Sequence, residues 1–170
     1  MPAGQRLRRA AIASDIVALA DAATDGAPAA RHAARLARVL AGCPRRATTI
    51  ADIDAAPAWL RAAPAVRADL GRRAALVLVA PHLARSIDGP RLKALADSIG
   101  VAALDHVIAL GSDRDPAYAP DLALDQLAAT GAAILAASLP PALADLLPPV
   151  SPFDAERAAA LVAEAQQVPA

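Results

Sequence analysis

Aromatic residues are nearly missing from this chain: one Trp, one Tyr and one Phe make up 2% of its 170 residues. Sheets draw on aromatic and β-branched side chains to fill their pleated faces, so this scarcity argues against an all-β fold. Cys43 is the only cysteine, which excludes an internal disulfide and suits a reducing compartment. Lys93 is the only lysine; every other cation is an arginine. Lys+Arg number 17 and Asp+Glu number 17, a formal net charge of +0. The strong basic footprint of a nucleic-acid binder is therefore lacking, and weak colloidal repulsion favours association with partners. Long apolar runs are lacking too. The stretch "GAAILAASLPPALADLLPPV" breaks at Pro140-Pro141 and carries Asp145, short of the roughly 18–20 residues that a membrane span needs. The opening "MPAGQRLRRAAIASDIVALADA" sets basic residues before an apolar segment, as an export signal does. Asp15 interrupts it, and the segment is expected to be an amphipathic helix of a cytoplasmic chain.

What the chain does have is alanine, which accounts for much of its 56% hydrophobic content. Alanine loses no side-chain entropy in a helix, so the bias predicts an all-α protein. Apolar spacing gives the details. Leu7, Ala11, Ile12, Ile16, Leu19 and Ala23 predict a helix over 7–22. His32, Leu36, Val39 and Leu40 predict another over 29–41, closed by Gly42. Thr48 or Thr49 caps a short helix through Ile50 and Ile53, and Pro57, Trp59 and Leu60 begin a further short element. From Ala65, one face carries Val66, Leu70, Ala74 and Val77, and the adjoining face carries Leu76, Val79, Leu83 and Ile87. Pro81 is expected to kink or restart this helix. Asp88-Gly89-Pro90 turns the chain into a helix with Leu92, Leu95 and Ile99 that Gly100 closes. Val101, Leu104 and Ile108 form the next, closed by Gly111. A long helix is expected over 121–138 with Leu124, Leu127, Gly131, Ile134 and Leu135. A turn of helix after Pro140-Pro141, a Pro-rich linker at 148–152 and a last helix over about 153–167 complete the chain. The expected architecture is a single compact multi-helix domain of short helices with Pro/Gly-punctuated turns. It comprises an N-terminal helical region 1–50 that docks on the core or stands apart, a core 51–152 and a C-terminal helix 153–170.

The segment "ALVLVAPHLARSIDGPRLKAL" (75–95) admits a rival. In a small α/β enzyme, "ALVLVA" and "HVIAL" would be parallel strands and the 111–116 loop "GSDRDP" an active loop. Two valines are weak support for a strand. Asp105 and His106 would also sit in a buried run, where an unpaired charge is costly. In a helix both face water while Leu104, Val107 and Ile108 face inward, so helix, kink, turn and helix is the better reading.

Chemistry finds little foothold. His32, His82 and His106 have no partners at zinc-ligand spacing. Asp113 and Asp115 form a D-x-D pair beside Ser112, without the further oxygen ligands of a calcium loop. Arg45 and Arg46 would lower the pKa of the Cys43 thiol, but no base is placed for it. Glycine-rich phosphate loops and a nucleophile elbow are missing. The pairs Arg8-Arg9, Arg45-Arg46 and Arg72-Arg73 read as solvated helix surface, and Trp59 as a core plug or an interface anchor, the core being preferred. A helix-turn-helix over 91–108 would need a basic recognition helix, and 101–110 holds Asp105 with no Lys or Arg. No catalytic residue, cofactor or metal is expected.

The segment "LGRRAALVLVAPHLARSIDGPRLKALADSIGVAALDHVIAL" (70–110) resembles the central part of the SctK/YscK-like accessory proteins of type III secretion systems. There too an apolar helix ends near a His, a short helix follows, and two Leu-rich helices come next. The stretch "TGAAILAASLPPALADLLPPVSP" (130–152) is similar to that family's small-residue helix ending in Pro, and Pro57-Ala58-Trp59-Leu60 to its Trp-containing segment. The likeness covers about 57–152. It implies a helical, non-catalytic, cytoplasmic subunit of the sorting platform. Its partners would be the pod-forming ring protein and the forkhead-associated cytoplasmic domain of the inner-membrane ring, with no nucleic acid and no direct membrane contact. Exposure, not the resemblance, suggests Arg85, Asp88, Arg91 and Lys93 as the partner-binding face, because charged residues rarely bury unpaired.

Overall fold

In the computed structural model, residues 11, 12, 14–16, 18, 49–120, 122–144 and 153–169 are described. The expected 29–41 helix, Gly42, Cys43, the pairs Arg8-Arg9 and Arg45-Arg46, and the 148–152 linker lie outside them. Among the described residues the protein is all-α, with no strand. Residues 11, 12, 14–16 and 18 are helical. There follow α1 (Ile50–Asp54), α2 (Pro64–Leu83), α3 (Gly89–Ile99), α4 (Val101–Ser112), α5 (Leu127–Ala137), α6 (Pro141–Ala144) and α7 (Ala155–Ala165). The stretches "ALVLVA" and "HVIAL" lie inside α2 and α4, so the α/β alternative falls.

Helix α2 is the axis of the fold: α4, α5 and α7 all pack against it. Twenty residues make it roughly 30 Å long, and Ala74 to Pro81 are buried without interruption. A helix covered on every side needs no polar face. Pro81 neither stops nor restarts it. The proline lies in the last turn, so its missing N–H removes a single intrahelical donor, the one due to the Val77 carbonyl. Two residues assigned to the apolar faces point outward instead. Val66 is 58% exposed, and in the first turn of α2 it is Arg67 that is buried instead. Ile87 is fully exposed, because the helix has ended at Leu83 and the turn carries it out of phase.

Glycines set how closely the other helices approach α2. The expected closing glycine, Gly111, is a buried residue within α4, which continues to Ser112. Any Cβ there would overlap the Ala80 carbonyl of α2. Gly131 of α5 is buried in the same way on the backbone of Gly71. Gly100 alone separates α3 from α4 and adopts φ 91°, a conformation that side chains disfavour.

Local capping follows the sequence closely elsewhere. Thr49 and Asp52 form a capping box on α1: Thr49 N donates to Asp52 Oδ2 at 2.7 Å, and Asp52 N to Thr49 Oγ1 at 3.2 Å. Trp59 is buried in a 3-10 turn, Ala58–Arg61, and belongs to the core. Asp154 caps α7 by accepting from Arg157 N at 2.7 Å. The long helix expected over 121–138 is shorter. A 3-10 turn at Leu124–Gln126 precedes α5, and Leu124 is exposed rather than inward.

Apolar and polar contacts join described residues near both ends of the sequence to this core. Ile12 and Ile16 are buried in the same apolar cluster as α2. Arg67, 5% exposed, donates from Nη1 to the Leu60 carbonyl at 2.7 Å and meets Asp15 Oδ1 at 2.7 Å. At the other end, Arg73 donates to the Val168 carbonyl at 2.7 Å and pairs with Asp69 at 2.8 Å.

Candidate functional site

The four charged residues proposed for partner binding cluster around the turn between α2 and α3, but they are not equivalent. Asp88 is the N-cap of α3 and accepts from Arg91 N at 3.0 Å. Arg91 is half-buried, and its Nη2 donates to the Leu122 carbonyl at 2.6 Å, fastening the segment before α5. Arg85 is exposed and donates to the Pro81 carbonyl at 3.0 Å, which caps the end of α2. Lys93 is exposed and pairs with Asp97 at 3.3 Å, one turn along α3. Of the four, Arg85, Asp88 and Lys93 are exposed and make only local contacts, Asp88 as the cap of α3. Between them Ile87 stands in solvent. This turn thus carries an apolar tip flanked by charge, an arrangement read from neither helix period.

The 111–116 loop has structural work of its own. Asp113 is the C-cap residue of α4. Asp115 caps the 3-10 turn Pro116–Tyr118 by accepting from Ala117 N at 2.9 Å. The ring of His82, half-buried at the end of α2, donates from Nε2 to the Ala119 carbonyl at 2.8 Å. This loop therefore lies against α2. His106 lies on α4, half-buried. Among the described residues, no group of three or more His, Cys, Asp or Glu is placed to hold a metal ion.

One arrangement escaped sequence reasoning. Arg114 in the loop and Glu164 on α7, 50 residues apart, form an ion pair at 2.9 Å. They stand at the wall of a cleft of about 370 Å³. Its floor is Val77, Leu78 and Pro81 of α2, and its far side is the α7 face with Ala160 and Leu161. Asp115 and Arg157 complete the rim, so two cations and two carboxylates balance there. The second oxygen of Glu164, Oε2, is shielded from water and accepts no hydrogen bond. The only sequence signal for this site is the i, i+3, i+4, i+7 spacing of Arg157, Ala160, Leu161 and Glu164. It shows that they share a helix face and says nothing of what faces them.

The fold and these sites define an all-helical protein organised around one buried helix. Among the described residues no helix is long and apolar enough to cross a membrane. No protein-family model matches the chain, and neither curated proteins nor solved structures show significant similarity to it.

Proposed function

We propose that this chain is a non-catalytic adaptor of a bacterial type III secretion system, working at the cytoplasmic face of the apparatus. It links the forkhead-associated domain of the inner-membrane ring to the pod-forming ring protein of the sorting platform. It approaches the membrane only through those partners. The observation that carries this reading is the order of the helices. An apolar helix ends beside His82, a short helix and a Leu-bearing helix follow, and a small-residue helix then stops before Pro140-Pro141. That follows the order on which the resemblance rests with one helix fewer, since α3 and α4 stand where the resemblance has a short helix and two Leu-rich helices. Balanced charge adds modest support, since it leaves little repulsion between this chain and a neighbour.

On this reading the contact face is the α2–α3 turn, with Arg85 and Lys93 offering charge and Ile87 an apolar tip. The test is co-expression of the tagged chain with each partner separately, followed by co-purification. Stoichiometric capture of either supports the adaptor. Failure with both, from a folded sample, sinks it. Reversal of Arg85 and Lys93 together to Glu should then weaken capture at least about tenfold, as expected when steering charges are inverted, without loss of helical circular dichroism. Arg91 is the wrong residue for that test, because its guanidinium also holds Leu122.

A further inference from the structure

A second groove lies beside the crossing of α2 and α5, where Gly71 and Gly131 meet. Gly71, Ala132 and Leu135 form its floor, and its walls are Ala68 and Ala128, both exposed. Arg67 and Arg72 border it, and no acidic residue lines it. In the cleft at Arg114 and Glu164 the charges balance; here they do not. The volume is about 280 Å³, just under the roughly 300 Å³ at which drug-sized sites begin, which suits a small guest.

Both arginines hold donors that no described residue takes up. A guanidinium carries five N–H groups and accepts nothing. Arg67 is the only charged residue buried among those described. It donates one hydrogen bond, from Nη1 to the Leu60 carbonyl, and the same nitrogen faces Asp15 Oδ1 at 2.7 Å. Among the described residues no acceptor meets its Nε or Nη2. Arg72 donates to none of them: its Nη2 stands 3.6 Å from Asp69, and its Nε is shielded from water without an acceptor. Arg73, one residue on, donates instead to the Val168 carbonyl and pairs with Asp69 at 2.8 Å. A shielded donor without an acceptor is costly, and more so on a charged group. Among these ionised groups, Arg67, Arg72 and Arg73 bring three positive charges and Asp15 and Asp69 two negative ones, which leaves one positive charge over.

We propose that this groove binds a small monocarboxylate, a single carboxylate on a short uncharged aliphatic body. The arginine fork matches the two oxygens of a carboxylate. Arg67 and Arg72 are five residues apart, about 7.5 Å along α2, and both border one small groove, so a single anion can draw on both. One surplus positive charge matches one negative charge. The aliphatic body lies along the Ala68 and Ala128 walls, where a doubly charged phosphate would give up its water for apolar contact. The site uses no residue of the α2–α3 turn and does not depend on the secretion-system partners.

The experiment is a titration of the full isotope-labelled chain with sodium butyrate at constant ionic strength, followed by amide and arginine Nε–H chemical shifts. Saturable shifts are expected at the amides of Ala68, Gly71 and Ala132 and at the Nε–H of Arg67 and Arg72. Butyramide has nearly the same shape without the charge and should bind at least about tenfold more weakly, the usual effect of losing a hydrogen bond to a charged group. Arg72→Gln removes a guanidinium that donates to no described residue, so the fold should survive while butyrate weakens about tenfold. Ala68→Glu sets an anion in the exposed wall and should abolish binding, whereas Ala68→Gln, of the same size, should keep most of it. The proposal is overturned if the folded chain shows no saturable shifts at tens of millimolar butyrate, or if butyramide binds as well. Tighter binding of inorganic phosphate at the same residues would make charge alone the determinant and would also overturn it.

Discussion

Helices α2 and α3 follow one another in the chain and differ in nearly every physical respect. From Ala74 to Pro81, α2 is buried on all sides by α4, α5 and α7. By contrast, α3 buries only Leu95 and Ile99 and keeps one face wet. Their sequences show the difference. In α3, polar and apolar residues alternate with the helical period, and its ends are marked by Asp88, Pro90 and Gly100. In α2 the period fades into "ALVLVA", which resembles a strand as much as a helix. Periodicity reports a boundary between water and core, so it is strongest where a helix has one wet side and weakest where it has none.

The comparison can be broken at several points, judged by urea unfolding. Leu76→Ala, in the enclosed part of α2, should cost about 3–4 kcal/mol, the range for a fully buried leucine. Leu92→Ala in half-buried α3 should cost about 1 kcal/mol. Equal losses would mean that the two helices are not differently embedded. Gly111→Ala should come next, at about 3 kcal/mol, because its Cβ overlaps the rigid backbone of Ala80 and the helices must part. A drop in melting temperature of roughly 6–12 °C would accompany it, whereas an unchanged midpoint would show that the α2–α4 crossing has slack.

Asp15→Asn removes the charge facing buried Arg67. Breaking a fully buried pair costs about 3–5 kcal/mol. Asp15 is partly open to solvent, so about 2 kcal/mol is expected. Hydrogen exchange should show faster opening among residues 11–18 than in α4; uniform change across the chain would contradict a local tie. On the α3 side the effects shrink. Asp88→Ala should cost about 1 kcal/mol through loss of the N-cap. Lys93→Glu should cost under about 0.5 kcal/mol, since it disturbs only an exposed pair within one helix. A larger loss at Lys93 would show that this surface is engaged in the isolated protein.

Sequence legibility follows the same physical line. The Thr49 cap of α1, the turn at Asp88-Gly89-Pro90 and the break at Gly100 were readable because each is settled within four residues. Val66, Ile87, Val101 and Leu124 were misassigned to buried faces because period alone cannot say which part of a helix a neighbour covers. Gly111 looked like a helix end because glycine serves that purpose often. Here the lack of a Cβ matters at a crossing with a residue 31 positions earlier. Arg91 looked like solvent-facing charge, yet its guanidinium reaches a carbonyl in the segment before α5. Arg67 gave no sign of burial, since its partner Asp15 is far away in sequence.

Composition and local pattern alone determined that this protein is helical, where most of its helices begin, and that its charges balance. Those properties depend on alanine's propensity, on caps and turns, and on sums over the chain, all of which are local or additive. Only the tertiary structure decided that α2 is enclosed, that Gly71 and Gly131 meet, that Arg67 finds Asp15, and that Arg114 and Glu164 stand together at one cleft. Each of those joins residues that chain distance separates, and bringing them together depends on packing many surfaces at once.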